Sequence, residues 1–242
     1  MKFLKALNEC NRQPLYDEKM PIMLLWSQKA GCTNLTKWFF YQVDLYDQAL
    51  EYHPSVHVYK AGKFFNQENY LQNIAKNHHK IDVVKLVRNP YKRAVSSFLT
   101  FSHYCYSSRR KNIGMHRDWE KVYALFYNKK PPYKGLSFKQ FLYYLDEVGA
   151  ATQVDGHLAQ QYIEGEEHLD IQLIKVENLS EDIKRLEKSY RLKQSPPSLI
   201  SQQKNHHGTK MSLDEDHSNI PITSEMLLSG KLPSYEYFYD EE

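Results

Sequence analysis

The sequence predicts an α/β fold, a three-layer domain with a central parallel sheet, and three observations carry that prediction. Residues 22–26 (Ile-Met-Leu-Leu-Trp) and 81–87 (Ile-Asp-Val-Val-Lys-Leu-Val) are short, nearly continuous apolar runs, as in strands buried on both faces. Each is followed by a polar turn and then a helical apolar stripe, so strand and helix alternate along the chain. The length of 242 residues, 41% hydrophobic and 25% charged, suits one well-buried core better than two. A single domain over residues 1–242 is expected, with about four or five strands, an N-terminal extension at 1–20 and a long loop at 193–219.

Taken in order, residues 1–20 are polar and irregular, with one short helix near residues 3–7 and little function expected. After the strand at 22–26, the positions Leu35, Trp38, Phe39, Tyr41, Gln42 and Leu45 give a helical stripe, with Thr33 or Asn34 as N-cap. Residues 55–60 (Ser-Val-His-Val-Tyr-Lys) alternate and are rich in β-branched and aromatic side chains, which predicts a second strand. A helix over 67–77 leads to the strand at 81–87. Asn89 and Pro90 then open a helix to about residue 103. Further helices are expected over 118–127 and after Ser137, with a loop at 128–135. Residues 152–161 read as a loop entering a helix, 171–176 as a late strand, and Ser180 as the cap of a final helix. The Tyr-rich acidic end, 235–242, can dock through its rings.

The chemistry concentrates at the ends of the two strong strands. A strand, a tight loop holding Gly31 and a helix start would present unpaired backbone N–H groups and a positive dipole end to an anion, with Lys29 beside them. The ordinary P-loop needs two glycines and a terminal Gly-Lys-Ser/Thr; here the lysine precedes the glycine, so a Walker-type nucleotidase fits badly. Arg88 stands at the carboxyl end of the other strand and can grip phosphate in a bidentate fork, and Ser96 follows about two turns into the next helix. Arg93 reads as an internal salt-bridge or helix-surface residue.

These two stretches resemble the sulfotransferases that use 3′-phosphoadenosine 5′-phosphosulfate (PAPS). Lys29-Ala-Gly-Cys-Thr-Asn34 is similar to the loop that holds the 5′-phosphosulfate, so Lys29, Ala30, Gly31, Cys32, Thr33 and Asn34 are candidate donor contacts. Arg88-Asn-Pro-Tyr-Lys-Arg-Ala-Val-Ser96 is similar to the segment that holds the 3′-phosphate. The Gly-Cys-Thr-Asn wording most resembles the Golgi carbohydrate sulfotransferases that modify chondroitin, dermatan, heparan and related glycans. The resemblance implies the same P-loop-like architecture, PAPS as co-substrate with 3′-phosphoadenosine 5′-phosphate (PAP) as product, and sulfuryl transfer to a hydroxyl of a carbohydrate or other small molecule.

Such a transfer needs in-line geometry and neutralisation of the charge developing on the leaving oxygen, a task for Lys29, and demands no metal. The acceptor hydroxyl must also lose a proton, for which a histidine near neutral pH is suited. His57 is the first candidate, because the related glycan enzymes carry an Ala-His-Val or Gly-His-Val at a comparable place. His157, in Asp155-Gly-His157, resembles an Asp-x-His element of the chondroitin-type enzymes and is the second, as base or acceptor-site residue. Those enzymes continue with Cys-Pro-Cys where Gly165-Glu-Glu-His168 stands here, so the acceptor region has diverged. Lys210, in the His-rich 206–210 stretch, is a candidate lid contact to the 3′-phosphate.

Two other readings stay open, a kinase-like phosphotransferase and a non-catalytic module for sulfated or phosphorylated ligands. The net charge of +3 is too mild to indicate nucleic acid. Cys10, Cys32 and Cys105 share no zinc or redox spacing, which favours a reducing compartment. No apolar run approaches the ~20 residues of a membrane span. A cytoplasmic protein is expected, or a catalytic domain separated from the anchor that the Golgi enzymes carry.

Overall fold

Three parallel strands organise the chain, in the order β1-β2-β3. The computed structural model describes residue 3, residues 12–106, residue 121, residues 138–148 and residues 155–200, the side chains of 101–106 and 147–148 excepted. In chain order the elements are β1 (Ile22–Leu25), α1 (Cys32–Gln42), α2 (Tyr46–Tyr52), α3 (Val56–Tyr59) running into a π-helical turn (Lys60–Phe64), and α4 (Tyr70–Asn77). They continue with β2 (Asp82–Val87), α5 (Pro90–Tyr106), α6 (Phe138–Val148), β3 (Ile171–Lys175), α7 (Leu179–Ser189) and α8 (Pro197–Ile200). Two compact units are distinguished, one of the described residues up to Asn89 and from Tyr162 onward, the other of those between Pro90 and Gln161.

The first unit holds the sheet. Strand β2 is central, with Leu25 paired to Lys85 on one side and Val87 paired to Lys175 on the other. All four residues of β1 are buried, as its unbroken apolar run requires. The N-terminal segment runs antiparallel beside β1 through paired backbone bonds between Leu15 and Leu24. Phe39, Phe40, Tyr59, Phe64 and Tyr70 form an edge-to-face aromatic cluster that packs α1, α3, the π turn and α4 together. Trp38 and Gln42 of α1 and the backbone and hydroxyl of Ser195 all donate to Glu187, which fastens α7 and the segment after it to α1.

The second unit, in its described part, holds α5, α6 and the turns at 155–161. Phe98 of α5 meets Phe138 and Phe141 of α6 at centroid distances of 5.3 and 5.4 Å.

Several expectations are corrected. Residues 55–60 are not a strand but α3 and the start of the π turn. Val56 and Tyr59, three apart, are buried while Val58 is exposed, the pattern of a helix face rather than of a pleat. The cap of α1 is Gly31, with Thr33 and Asn34 already inside the helix, and α7 starts after Asn178 rather than at Ser180. No α-helix follows the turns at 155–161; only the single 3₁₀ turn Glu166–His168 intervenes before β3. The described sheet has three strands, fewer than four or five. Apart from Lys121, the expected helix at 118–127 lies outside the described residues, as do the loop at 128–135, Ser137, Lys210 and the end at 235–242.

Candidate active site

Parallel strands deliver their following segments to one edge of the sheet. Here the three segments meet. The first is the turn after β1, residues 26–31, which packs down before α1. Lys29 and Gly31 both adopt the left-handed region, at φ 66° and 70°. For Lys29 that conformation costs about 1–2 kcal/mol, the kind of strain that accumulates at ligand sites. Gly31 must stay glycine for a second reason, since a Cβ there would stand 2.9 Å from Val176 Cγ2 in the segment after β3.

Helix α1 starts with no side-chain cap and no acidic residue in its first turn. No acidic side chain of that first turn therefore offsets the positive end of the helix. Lys29, Cys32, Thr33 and Asn34 are half-buried around it and Ala30 is fully buried beneath.

The second segment follows β2. Arg88 donates from Nη1 to the Lys29 carbonyl at 2.9 Å, which ties the arginine to the loop. The backbone N–H of Asn89 donates to Glu177 Oε1 at 3.1 Å, which ties the same turn to the third segment.

His57 reaches this place from α3. Its Nε2 shares a 2.9 Å hydrogen bond with Thr33 Oγ1 and lies 4.0 Å from Cys32 Sγ. The strand expected to carry it is absent, yet the imidazole still stands at the first turn of α1. The first unit thus brings together Lys29, Ala30, Gly31, Cys32, Thr33, Asn34, Arg88 and His57.

Ser96 and His157 belong to the second unit. Ser96 is half-buried on α5, and its carbonyl accepts from Thr100 Oγ1 at 2.9 Å. His157 is oriented by Asp155, whose Oδ1 lies 2.6 Å from His157 Nδ1 and accepts from the His157 N–H at 2.9 Å. Ser97 donates to the His157 carbonyl at 2.6 Å, and Arg93 donates to the carbonyls of Ala159 and Gly156. Arg93 is buried rather than on the helix surface, and it anchors the 155–161 turn to α5.

Three contributions escape a reading of the sequence. Arg12, buried in the segment expected to do little, donates from Nε to Gln28 Oε1 at 2.9 Å and so steadies the residue before Lys29. Trp26, the first residue of the loop, donates to the Gln13 carbonyl. Lys60 is buried with its ammonium over the Trp26 ring. Its three-residue spacing from His57 would have been a signal only if the stretch had been read as helix.

No group of three or more metal-ligating side chains occurs among the described residues, and no described helix is long and apolar enough to cross a membrane. No curated protein and no solved structure gives a significant match. The sequence model described as the Sulfotransferase family matches residues 12–227, most of the chain and both ends of the site. By that match, the protein belongs to the sulfotransferase family.

Proposed function

We propose that this protein moves a sulfuryl group from PAPS to a hydroxyl of a carbohydrate. The observation that carries the reading is the uncapped, acid-free N-terminus of α1, flanked by Lys29, bonded through Lys29 to Arg88, and met by the imidazole of His57. The residues fit an anionic donor. Backbone N–H groups at a helix start, an ammonium and a guanidinium favour a phosphate or sulfate, and the Gly31 position leaves no room for a side chain.

PAPS would supply the activated sulfuryl group. Lys29 neutralises charge on the leaving oxygen, together with the positive end of α1. Ala30, Gly31, Cys32, Thr33 and Asn34 hold the 5′ end, and Arg88 holds the 3′-phosphate; Ser96 is assigned to that phosphate by its place in the sequence. Lys210 is assigned to the same phosphate by its place in the sequence.

His57 takes the proton from the acceptor hydroxyl, its ring held in place by Thr33. His157, fixed by Asp155, positions the acceptor. A carbohydrate acceptor is favoured by the Gly31-Cys-Thr-Asn34 wording. The phosphotransferase alternative is disfavoured because the loop lysine precedes the glycine.

The test is transfer of label from ³⁵S-PAPS to a panel of glycans in the presence of EDTA, with γ-labelled ATP as control. Turnover should survive the chelator. His57→Ala should lower kcat by about 10² to 10⁴, the usual worth of a general base, with PAP affinity nearly unchanged. His157→Ala should raise the acceptor KM. Label transferred only from ATP and only with magnesium would overturn the reading. Normal kcat in His57→Ala with a dead His157→Ala would reverse the two histidines.

A further inference from the structure

On the ring of Trp26, where the chain leaves β1, lies a charged group that the mechanism above does not use. Lys60 is 3% exposed, and among the described residues its Nζ has no hydrogen-bond acceptor and no ion-pair partner. It lies 3.4 Å from the centroid of the Trp26 ring and 5.7 Å from that of Phe65. A ring face attracts an ammonium, but it returns less than the hydration lost on burial. A buried cation with no acceptor among the described residues is therefore costly.

Its surroundings point to what would pair it. Trp26 is the residue from which the loop departs, and a charge on Cys32, the first residue of α1, would favour the ammonium form of Lys60. His57, three residues earlier on the same helical run, already touches Thr33 in that first turn. The backbone changes from α to π geometry at Lys60 itself, with the Phe65 N–H donating to the Lys60 carbonyl at 2.9 Å, and such irregular turns mark functional positions. Ser27, next after Trp26, has a fully buried hydroxyl that also lacks a partner among the described residues. An ammonium on the Trp26 ring and the hydroxyl of the next residue, both without acceptors among the described residues, are complementary to an anion.

We propose that Lys60 is a second donor-binding cation, stored on the Trp26 ring and engaged with the anionic 5′ end of the sulfuryl donor when that end enters the loop. The proposal rests on the donor reading above. It assigns to α3 and the π turn two groups for one reaction: His57 for the acceptor proton and Lys60 for the donor charge.

The linkage gives a signature. Burial lowers the Lys60 pKa to about 8, with the Cys32 thiol opposing that effect in part. An anion beside the ammonium would raise it again. Below about pH 7 the group is charged with or without the anion, so binding takes up no proton from this source. As pH rises through about 8 the free protein loses that proton, binding must restore it, and affinity falls.

The test is calorimetric titration of the full chain with PAP at about pH 7 and pH 8.5, in two buffers of different ionisation heat, for wild type, Lys60→Met and Lys29→Ala, with a melting curve for each. Lys60→Met should melt at or above wild type, because it replaces an unpaired buried charge by a side chain of similar shape. It should bind PAP at least about tenfold more weakly at pH 7 and lose the proton uptake that wild type shows at pH 8.5. PAP affinity within twofold of wild type in Lys60→Met, with Lys29→Ala impaired, would overturn this proposal and leave the donor reading standing. A sharp drop in melting temperature together with lost binding would make Lys60 a structural residue and overturn it too. A folded wild type that does not bind PAP would remove both.

Discussion

Lys29, Gly31 and Arg88 show how much a few positions decide at the scale of single residues. Lys29 and Arg88 are separated by 58 intervening residues yet joined by one bond between a guanidinium and a carbonyl. Lys29→Ala and Arg88→Ala should each weaken PAP binding by about 1.5–3 kcal/mol, the range for a hydrogen bond to a charged group, as measured by calorimetry. Arg88→Lys should also be impaired, since an ammonium cannot form the planar fork. Gly31→Ala should lower stability by about 1–2 kcal/mol or more, because it meets Val176 and forces an L side chain into the left-handed region. A melting temperature unchanged in Gly31→Ala would show that the loop can relax. Lys29, Gly31 and Arg88 stand out in the sequence, since loop glycines and strand-end cations have a direct chemical reading. Arg12 does not, because its role depends on an antiparallel contact with β1 that no local pattern announces.

Among the elements, β1 and β2 are legible because a short, largely apolar run, unbroken in β1 and interrupted by Lys85 in β2, suits a strand covered on both faces. The stretch at 55–60 misleads for a physical reason. Its Val-His-Val alternation fits a pleat, but the local choice is overridden by packing: Val56 and Tyr59 turn to the aromatic cluster around Phe40 and Phe64, and Val58 turns to solvent. The two geometries predict different mutational patterns. In a strand Val56 and Val58 would share a face and respond alike. In α3, Val56→Ala should cost about 1–3 kcal/mol and Val58→Ala less than about 0.5 kcal/mol in chemical denaturation. Equal losses at both sites would favour the strand. The helix alternative also matters for the site, because only helical spacing puts His57 and Lys60 three residues apart on neighbouring turns.

At the scale of the chain, the unit that holds the sheet is stabilised by buried charge as well as by apolar packing. Lys85, in the middle of the central strand, donates to both oxygens of Glu166 at 2.6 Å, with both side chains almost completely buried. Nothing in an apolar strand pattern says what would pair that lysine, 81 residues from its partner. Glu166→Leu should destabilise the protein by about 3–5 kcal/mol by removing the carboxylate that neutralises the buried ammonium, and adding Lys85→Met should recover most of that loss in urea unfolding. A double variant as unstable as the single one would show that the pair has a role beyond mutual neutralisation. The family match, from residue 12 to residue 227, spans the brace at Arg12, the loop, the Arg88 segment and both histidines. Residues 29–34 and Arg88 are proposed as a site for a 3′-phosphorylated adenine nucleotide. The most direct test is a calorimetric titration of the full chain with PAP and, separately, with magnesium ATP. PAP should bind at about micromolar level, roughly −8 kcal/mol, with ATP far weaker and PAP binding diminished in Lys29→Ala and Arg88→Ala. Tight magnesium-dependent ATP binding with none for PAP would contradict the account.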